Sequence, residues 1–365
     1  MRILAFGAGA IGSLLGHRLA QGGHQVTLVG RSGYVQAVRK RGLLLEEPNP
    51  GPHERVGHLD KERRLAPYVR TVHPSAVERI EDLAASQRSW DLILLTVKAY
   101  DTREAAQAVA PYASEVPLVI VQNGVGGEEL VLQVLNQATI TSGVITLSVS
   151  ALAPGHVRLE TTRGGLNLAP TREGQNVDDC AELFATAGLR TATYHDYRAL
   201  KWSKLLLNIQ ANAIPAILDM PPRAVFANPS LFALERLALL EALAVMRALQ
   251  LRPVHFPGYP VPLLVWAMQT LPAPLLRLVL RRLVASGRGD KKPSLQMDLL
   301  SGRQRSEVLY LNGAVVTYAE RVGLDVPVNR VLVNTLMDIA ARRLPWDRFR
   351  GQPQRLIAAV EAGRE

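Results

Sequence analysis

Three side chains that could do chemistry recur at every fourth residue of one apolar stretch: Lys204, Asn208 and Asn212. On a helix this spacing stacks an ammonium and two carboxamides along one stripe. An ammonium held there can stabilise and protonate an alkoxide forming on a carbonyl substrate. Most of the surrounding stretch, 201–214, is apolar and helix-compatible. Each buried polar group left unpaired costs roughly 1–3 kcal/mol, so these groups are either paired inside the fold or held for a ligand. A polar helix face turned to water is the plain alternative. Two later residues join the set. Ser294 begins a helical pattern, where an N-cap is the ordinary reason for a serine. Glu307 stands in a largely apolar helical pattern, 296–323, where a carboxylate needs a partner.

A second set lies at the other end of the chain. The short apolar strand 2–6 runs into Gly7-Ala8-Gly9-Ala10-Ile11-Gly12, which opens a helical pattern through residue 21. A glycine triplet in this strand-to-helix context is a dinucleotide fingerprint. Gly7 permits the tight turn, Gly9 lets a pyrophosphate approach the backbone, and Gly12 lets helix and strand pack closely. The phosphates then sit on the helix N-terminus. The next strand, 25–29, ends in Gly30-Arg31-Ser32. An NAD site would place a carboxylate there to hold the ribose hydroxyls, whereas a guanidinium suits a 2′-phosphate, so NADPH/NADP+ is the expected cofactor and Arg31 its selector. An ordinary surface arginine is the competing explanation. Lys98 and Asn123 follow two further apolar strands, 91–97 and 117–121, where ligands of open α/β sheets collect. Turn chemistry is the other reading of the Asn123-Gly124 pair.

These groups need two kinds of scaffold. Strands alternate with helices in the first half. From 138 to 195 strand patterns prevail, with a turn at Ala153-Pro154-Gly155 and one helix near 177–187. Beyond Tyr197 helical patterns dominate, at 199–217, 231–251, 263–286, 296–323 and 330–343. The expected architecture is a Rossmann-type α/β domain over 1–195 followed by an all-α substrate-binding domain over 196–365. A chain of 365 residues exceeds the size at which one core usually keeps growing.

Composition excludes several classes. Hydrophobic residues make up 48% and charged residues 20%, an ordinary globular balance. Cys180 is the lone cysteine, which leaves no intramolecular disulfide and fits a reducing, cytoplasmic setting. The net charge of +10 accompanies no RNA- or DNA-reading motif, and the pairs Arg63-Arg64, Arg281-Arg282 and Arg342-Arg343 are short and dispersed. No nucleic-acid partner is expected. Histidines 53, 58 and 73 have no metal-site spacing. The apolar stretch 261–277 holds three prolines and falls short of a membrane span. It reads instead as an oligomer interface, with a homodimer as the candidate assembly, or as a flap. The proline- and charge-rich residues 46–68 read as a surface excursion.

Together these motifs resemble the ketopantoate reductase family. Gly7 through Gly12, Arg31, Val97-Lys98-Ala99, Asn123-Gly124-Val125-Gly126, Trp202-Ser203-Lys204 with Asn208 and Asn212, Ser294, and Glu307 with Tyr310-Leu311-Asn312-Gly313 occur in the family's order. The resemblance implies a C-terminal arrangement like that of 6-phosphogluconate dehydrogenase. It also implies NADPH-dependent reduction of 2-dehydropantoate, a small 2-oxo acid, on the route to pantothenate and coenzyme A. By matching position, Lys204 is the implied general acid and Glu307 a partner of a substrate hydroxyl. Asn208, Asn212 and Ser294 match substrate-binding positions, Asn123 a residue near both cofactor and substrate, and Lys98 one near the nicotinamide. The chain is longer than a typical member at 46–68 and about 253–290. A reductase of another branched 2-oxo acid, or a non-catalytic NADP-binding sensor, are the alternative functions.

Overall fold

The structure is a computed structural model describing residues 1–48, 67–278, 280 and 292–364. It forms two compact units. The first comprises Met1–Gln122, Gly127–Tyr197 and Phe256–Gly258, and the second Asn123–Gly126, Arg198–His255 and Tyr259–Glu365.

The first unit is built on β1 (Arg2–Phe6), whose successive side chains point to opposite faces. Ile3 and Ala5 join one apolar cluster with Leu14, Leu15 and Leu19 of α1 (Ala10–Gln21) and Leu28 of β2 (Gln25–Val29). Leu4 joins the opposite cluster with Ile93 and Leu95 of β6 (Leu92–Leu95) and Ala106 and Val109 of α3 (Thr102–Val109). A strand apolar on both faces belongs inside a parallel sheet covered by helices.

That sheet adds β5 (Ser75–Val77), β7 (Leu118–Val121), β8 (Ile140–Ile145), β11 (Leu166–Pro170) and β12 (Thr191–Thr193). Its order is β12-β11-β8-β7-β6-β1-β2-β5. All neighbours pair in parallel except β11 with β8. From β1 the chain winds outward first through β2 and β5, then through β6, β7 and β8. The carboxyl ends of β1 and β6 therefore flank a topological switch point, where open α/β sheets bind ligands.

The strand-rich region after residue 138 divides between two sheets. β8, β11 and β12 extend the main sheet as expected, and α5 (Asp178–Thr186) falls on the expected helix. The hairpin β9 (Val149–Ala153) and β10 (His156–Leu159) instead joins β3 (Leu43–Glu47) and β4 (Tyr68–Val72) in a small sheet ordered β4-β3-β10-β9. Gly155, at φ +69°, makes the expected turn of that hairpin. Most of the excursion at 46–68 lies outside the described residues, as do His53 and His58.

The second unit is helical. Its long helix α9 (Pro229–Ala248) begins at Asn228, whose side chain accepts the N–H groups of Ser230 and Leu231. Further along α9, Glu241 accepts the backbone N–H groups of Val328 and Asn329, each at 2.9 Å, and so caps the helix Pro327–Ala340. Burial pushes the Glu241 carboxyl up, against the pull of those bonds.

Two expected helices are broken. The pattern at 199–217 divides into α6 (Tyr197–Ile209) and α7 (Ala213–Leu218). The pattern at 296–323 divides into the helix Ser294–Leu300, a 3-10 turn Glu307–Tyr310 and the helix Asn312–Arg321. Leu311, at φ −102° and ψ −99°, separates the last two. Of the pattern at 263–286, the helix Val261–Thr270 covers the start, and residues 281–286 lie outside the described ones. No helix among the described residues is long and apolar enough to cross a membrane.

Candidate functional site

In the first unit the glycine fingerprint occupies the switch point. Phe6 pairs with Val29 on one side and Leu95 on the other, so three strand ends come level. Gly7, at φ +114°, turns the chain there, and a Cβ on it would stand 2.5 Å from the Val97 nitrogen. A Cβ on Gly12 would stand 2.2 Å from the Gly7 carbonyl oxygen and 2.5 Å from Thr96 Oγ1. Both positions are closed to larger residues by the protein itself.

Gly9 differs. A Cβ there would meet nothing within 4 Å. Protein packing gives no reason for this glycine, whereas a phosphate approaching the backbone does. No side chain caps α1 and no acidic residue stands in its first turn. Its leading N–H groups and dipole therefore favour an anion. The residues present fit a dinucleotide.

Arg31 occupies the N-cap position of α2 (Ser32–Arg41), directly after β2, and is exposed. Its carbonyl accepts the N–H groups of Tyr34 and Val35. Its guanidinium makes no ion pair among the described residues. The start of α2 is braced from below by a 2.8 Å hydrogen bond between Tyr34 Oη and Ser13 Oγ, both buried. Burial pushes the Tyr34 phenol up to about 12, so it stays protonated.

Lys98 is half-buried at the turn after β6. Three side chains fix this corner. Thr96 Oγ1 donates to the Gly7 carbonyl at 2.8 Å, Gln122 Nε2 to the Val97 carbonyl at 3.1 Å, and Thr102 Oγ1 to the Ala99 carbonyl at 2.6 Å. Sequence reasoning missed Thr96, Gln122 and Thr102. For Thr96 and Gln122 the available signal was a polar residue at the end of an otherwise apolar strand, the same that singled out Asn123; Thr102, which opens α3, offered none of that kind.

In the second unit Lys204 and Asn208 lie one turn apart on α6, both half-buried. Asn208 Nδ2 donates to Asn123 Oδ1 at 3.3 Å. The loop carrying Asn123 rests on the turn carrying Glu307. Val125 N–H donates to the Tyr310 carbonyl at 3.0 Å, and a Cβ on Gly124, at φ +89°, would stand 2.4 Å from that oxygen. Glu307 is 3% exposed and opens its 3-10 turn, which the Ser306 hydroxyl caps by accepting the Val308 N–H.

Asn212 is not on the α6 stripe. The helix has already ended, and Asn212 takes φ −130° at the N-cap position of α7. Its Nδ2 donates to the Asn208 carbonyl at 3.0 Å, and its Oδ1 accepts the Leu295 N–H at 3.3 Å. The carboxamide thus ties the start of the helix Ser294–Leu300 to the end of α6. Ser294 is exposed and is the first helical residue rather than the cap, a position held by Pro293. Its hydroxyl has no capping role. The structure joins Asn123, Asn208 and Asn212 by hydrogen bonds beside the Glu307 turn, with Asn212 bound to Leu295, the residue after Ser294. Among the described residues no group of three or more His, Cys, Asp or Glu side chains could hold a metal ion.

Comparison with known proteins places this geometry. Residues 3–173 match the family model described as ketopantoate reductase PanE/ApbA, and residues 196–340 match its C-terminal counterpart. The chain is 30% identical over 346 residues to a 2-dehydropantoate 2-reductase of Halobacterium salinarum, an alignment covering 94% of this chain and 99% of that one. It is 28% identical over 335 residues to the enzyme of that name from Pyrococcus horikoshii, covering 91% and 95%. A crystal structure of a PanE/ApbA family ketopantoate reductase from Ralstonia eutropha is similar with a TM-score of 0.75 and 29% identity, covering 94% and 99%. A D-mandelate dehydrogenase shares the fold with a TM-score of 0.74 at 19% identity, covering 94% of this chain and 99% of that one.

Proposed function

The chain belongs to the ketopantoate reductase family, and we propose that it reduces 2-dehydropantoate to (R)-pantoate with NADPH. One observation carries the reading. Lys204 is held half-buried one helical turn before Asn208, whose carboxamide is hydrogen-bonded to Asn123.

In the first unit the N–H groups leading α1, from Ala10 to Gly12, take the pyrophosphate over the open position at Gly9. Arg31 takes the 2′-phosphate, for which its exposed guanidinium, without an ion pair among the described residues, is suited, and Lys98 stands toward the nicotinamide. When bound, the nicotinamide supplies a hydride to the ketone carbon.

In the second unit Lys204 Nζ donates a proton to the ketone oxygen as negative charge develops there. Its positive charge stabilises that oxygen before the proton moves. Glu307, a carboxylate 3% exposed, accepts a hydrogen bond from the substrate hydroxyl. Asn208, Asn212 and Ser294 line the acid, with Asn123 completing the set. Cys180 is the only cysteine, which suits a cytoplasmic setting.

The test is NADPH oxidation, followed by its absorbance, with ketopantoate, 2-oxoisovalerate and pyruvate in parallel. A clear preference for ketopantoate is expected. Turnover of another branched 2-oxo acid in its place would move the substrate assignment. NADPH binding with no turnover on any of them would leave a sensor.

A further inference from the structure

The break between α6 and α7 decides where Asn208 and Ser294 stand; Pro215, which has no N–H for the Ala211 carbonyl, ends the helix here, but the three residues of the break do not explain its left-handed turn. Gln210, Ala211 and Asn212 include no glycine and no proline. Ala211 nevertheless takes φ +52°, a left-handed conformation disfavoured for a residue with a Cβ. Something outside the segment has to hold it.

Glu235 does so from α9. It is 1% exposed among the inward-facing Leu231, Phe232, Leu234, Ala238 and Leu239 of that helix. Its Oε2 accepts the Ala211 N–H at 2.9 Å, and its backbone carbonyl accepts Gln210 Nε2 at 3.0 Å. Two consecutive residues of the break are therefore bound to one residue of α9, inside the unit. A hydrogen bond to a carboxylate is roughly twice as strong as one between neutral groups. A buried carboxylate also penalises any rearrangement that takes its donors away.

From Ala211 the path continues through hydrogen bonds of the site. Asn212 follows in sequence and binds both the Leu295 N–H, next to Ser294, and the Asn208 carbonyl. Asn208 in turn reaches Asn123. We propose that Glu235 is a positioning residue for the reaction: by holding Ala211 in its left-handed conformation it sets the spacing between Asn208 and Ser294, and with it the fit of the 2-oxo acid. This rests on the reading that Asn208 and Ser294 receive that acid. Glu235 acts through Ala211 and Asn212.

The experiment compares Glu235→Leu, Glu235→Gln and Ala211→Gly with wild type. It reads steady-state KM for ketopantoate and for NADPH, thermal stability, and backbone hydrogen exchange over 208–213 and 292–300. Loss of the hydrogen-bonded link in Glu235→Leu should raise KM for ketopantoate about 10-fold, leave KM for NADPH nearly unchanged, and speed exchange at both segments. Glu235→Gln keeps an acceptor and should recover most of the difference. Ala211→Gly adopts positive φ freely, so it should be as stable as wild type or more so, while KM for ketopantoate rises about 3-fold because the break is no longer confined.

A purely structural Glu235 would lower thermal stability in Glu235→Leu and leave both KM values and the exchange of 292–300 unchanged, which overturns the proposal. If Glu235→Leu does not fold, Ala211→Gly decides alone: unchanged exchange and unchanged KM for ketopantoate overturn it. If wild type turns over no 2-oxo acid, the proposed function fails, and exchange at 292–300 still decides whether Glu235 controls the Ser294 segment.

Discussion

The turn after β1 and the break after α6 both hold a residue at positive φ, Gly7 at +114° and Ala211 at +52°, but by different means. At Gly7 the means are local. Glycine adopts the conformation freely, and the approach of Val97 leaves no room for anything larger. At Ala211 they are remote, a carboxylate 24 residues along the chain that accepts its N–H. On the proposed reading, the first arrangement is a turn for a common ligand class, dinucleotide phosphates, and the second bends a helix end to suit one particular acid. A phosphate seat can be made from backbone alone, whereas a substrate wall needs side chains placed by their neighbours.

The largest test of this contrast is inside the fingerprint. In Gly12→Ala the new methyl would stand 2.2 Å from the Gly7 oxygen, a backbone atom that cannot easily yield. Overpacking of this kind costs roughly 1–3 kcal/mol, so melting should fall by several degrees and NADPH should no longer stabilise the protein. In Gly9→Ala the methyl meets no protein atom within 4 Å. Melting without cofactor should match wild type, while the stabilisation by NADPH is lost. Full NADPH stabilisation in Gly9→Ala would remove Gly9 from the phosphate seat.

A smaller effect is expected at Arg31. Hydrogen bonds to charged groups contribute about 1.5–3 kcal/mol, so Arg31→Ala should weaken NADPH on the order of 10-fold or more and NADH hardly at all. Comparison of the two KM values reads this directly. Equal weakening would make Arg31 a general phosphate contact.

The smallest effects are in acid, where the two units should part company. His17 of α1 is fully buried with Nε2 3.1 Å from the Arg70 carbonyl, and burial holds its pKa below the ordinary 6.5 against the pull of that bond. Its neutral form is the one the fold prefers. The stability it contributes is complete above pH 6.5 and is lost as pH falls through the lower folded value. In the second unit Asp219, which closes α7 at φ +50°, accepts Gln296 Nε2 and Arg350 Nη2, each at 2.7 Å. Partial burial works against its ionisation, but those bonds prevail and its carboxyl lies below the ordinary 3.8. Its contribution is present above pH 3.8 and lost only as pH falls through the folded value. Melting curves against pH should therefore show the wild-type advantage over His17→Gln shrinking below pH 6.5. The advantage over Asp219→Asn should persist to about pH 4.

The same contrast explains what could be read from sequence. The fingerprint turn and the alternation of strands and helices were legible because period, glycine spacing and strand ends are local properties. The stripe of Lys204, Asn208 and Asn212 was half legible. Its first two members do share a helix, but Pro215, inside the 199–217 pattern, has no N–H for the Ala211 carbonyl and ends that helix before Asn212, a signal that reading 199–217 as one helix passed over. Glu235, which accepts the Ala211 N–H, offered the signal used for Glu307, a carboxylate in an apolar helix, without any hint of its partner. The break at Leu311 is likewise set where Val125 docks on the Tyr310 carbonyl, a contact far away in sequence. Hairpin β9–β10 was legible as a hairpin, and its choice of the small sheet was decided by pairing with β3.

The central claim is that the second unit does acid chemistry on a substrate while the first holds the cofactor. The measurement that tests it most directly is turnover of Lys204→Ala with ketopantoate, beside its affinity for NADPH. A positioned general acid contributes about 10²–10⁴-fold, so turnover should fall by that factor with NADPH affinity unchanged. Turnover equal to wild type would contradict the account, because the proton would then come from elsewhere.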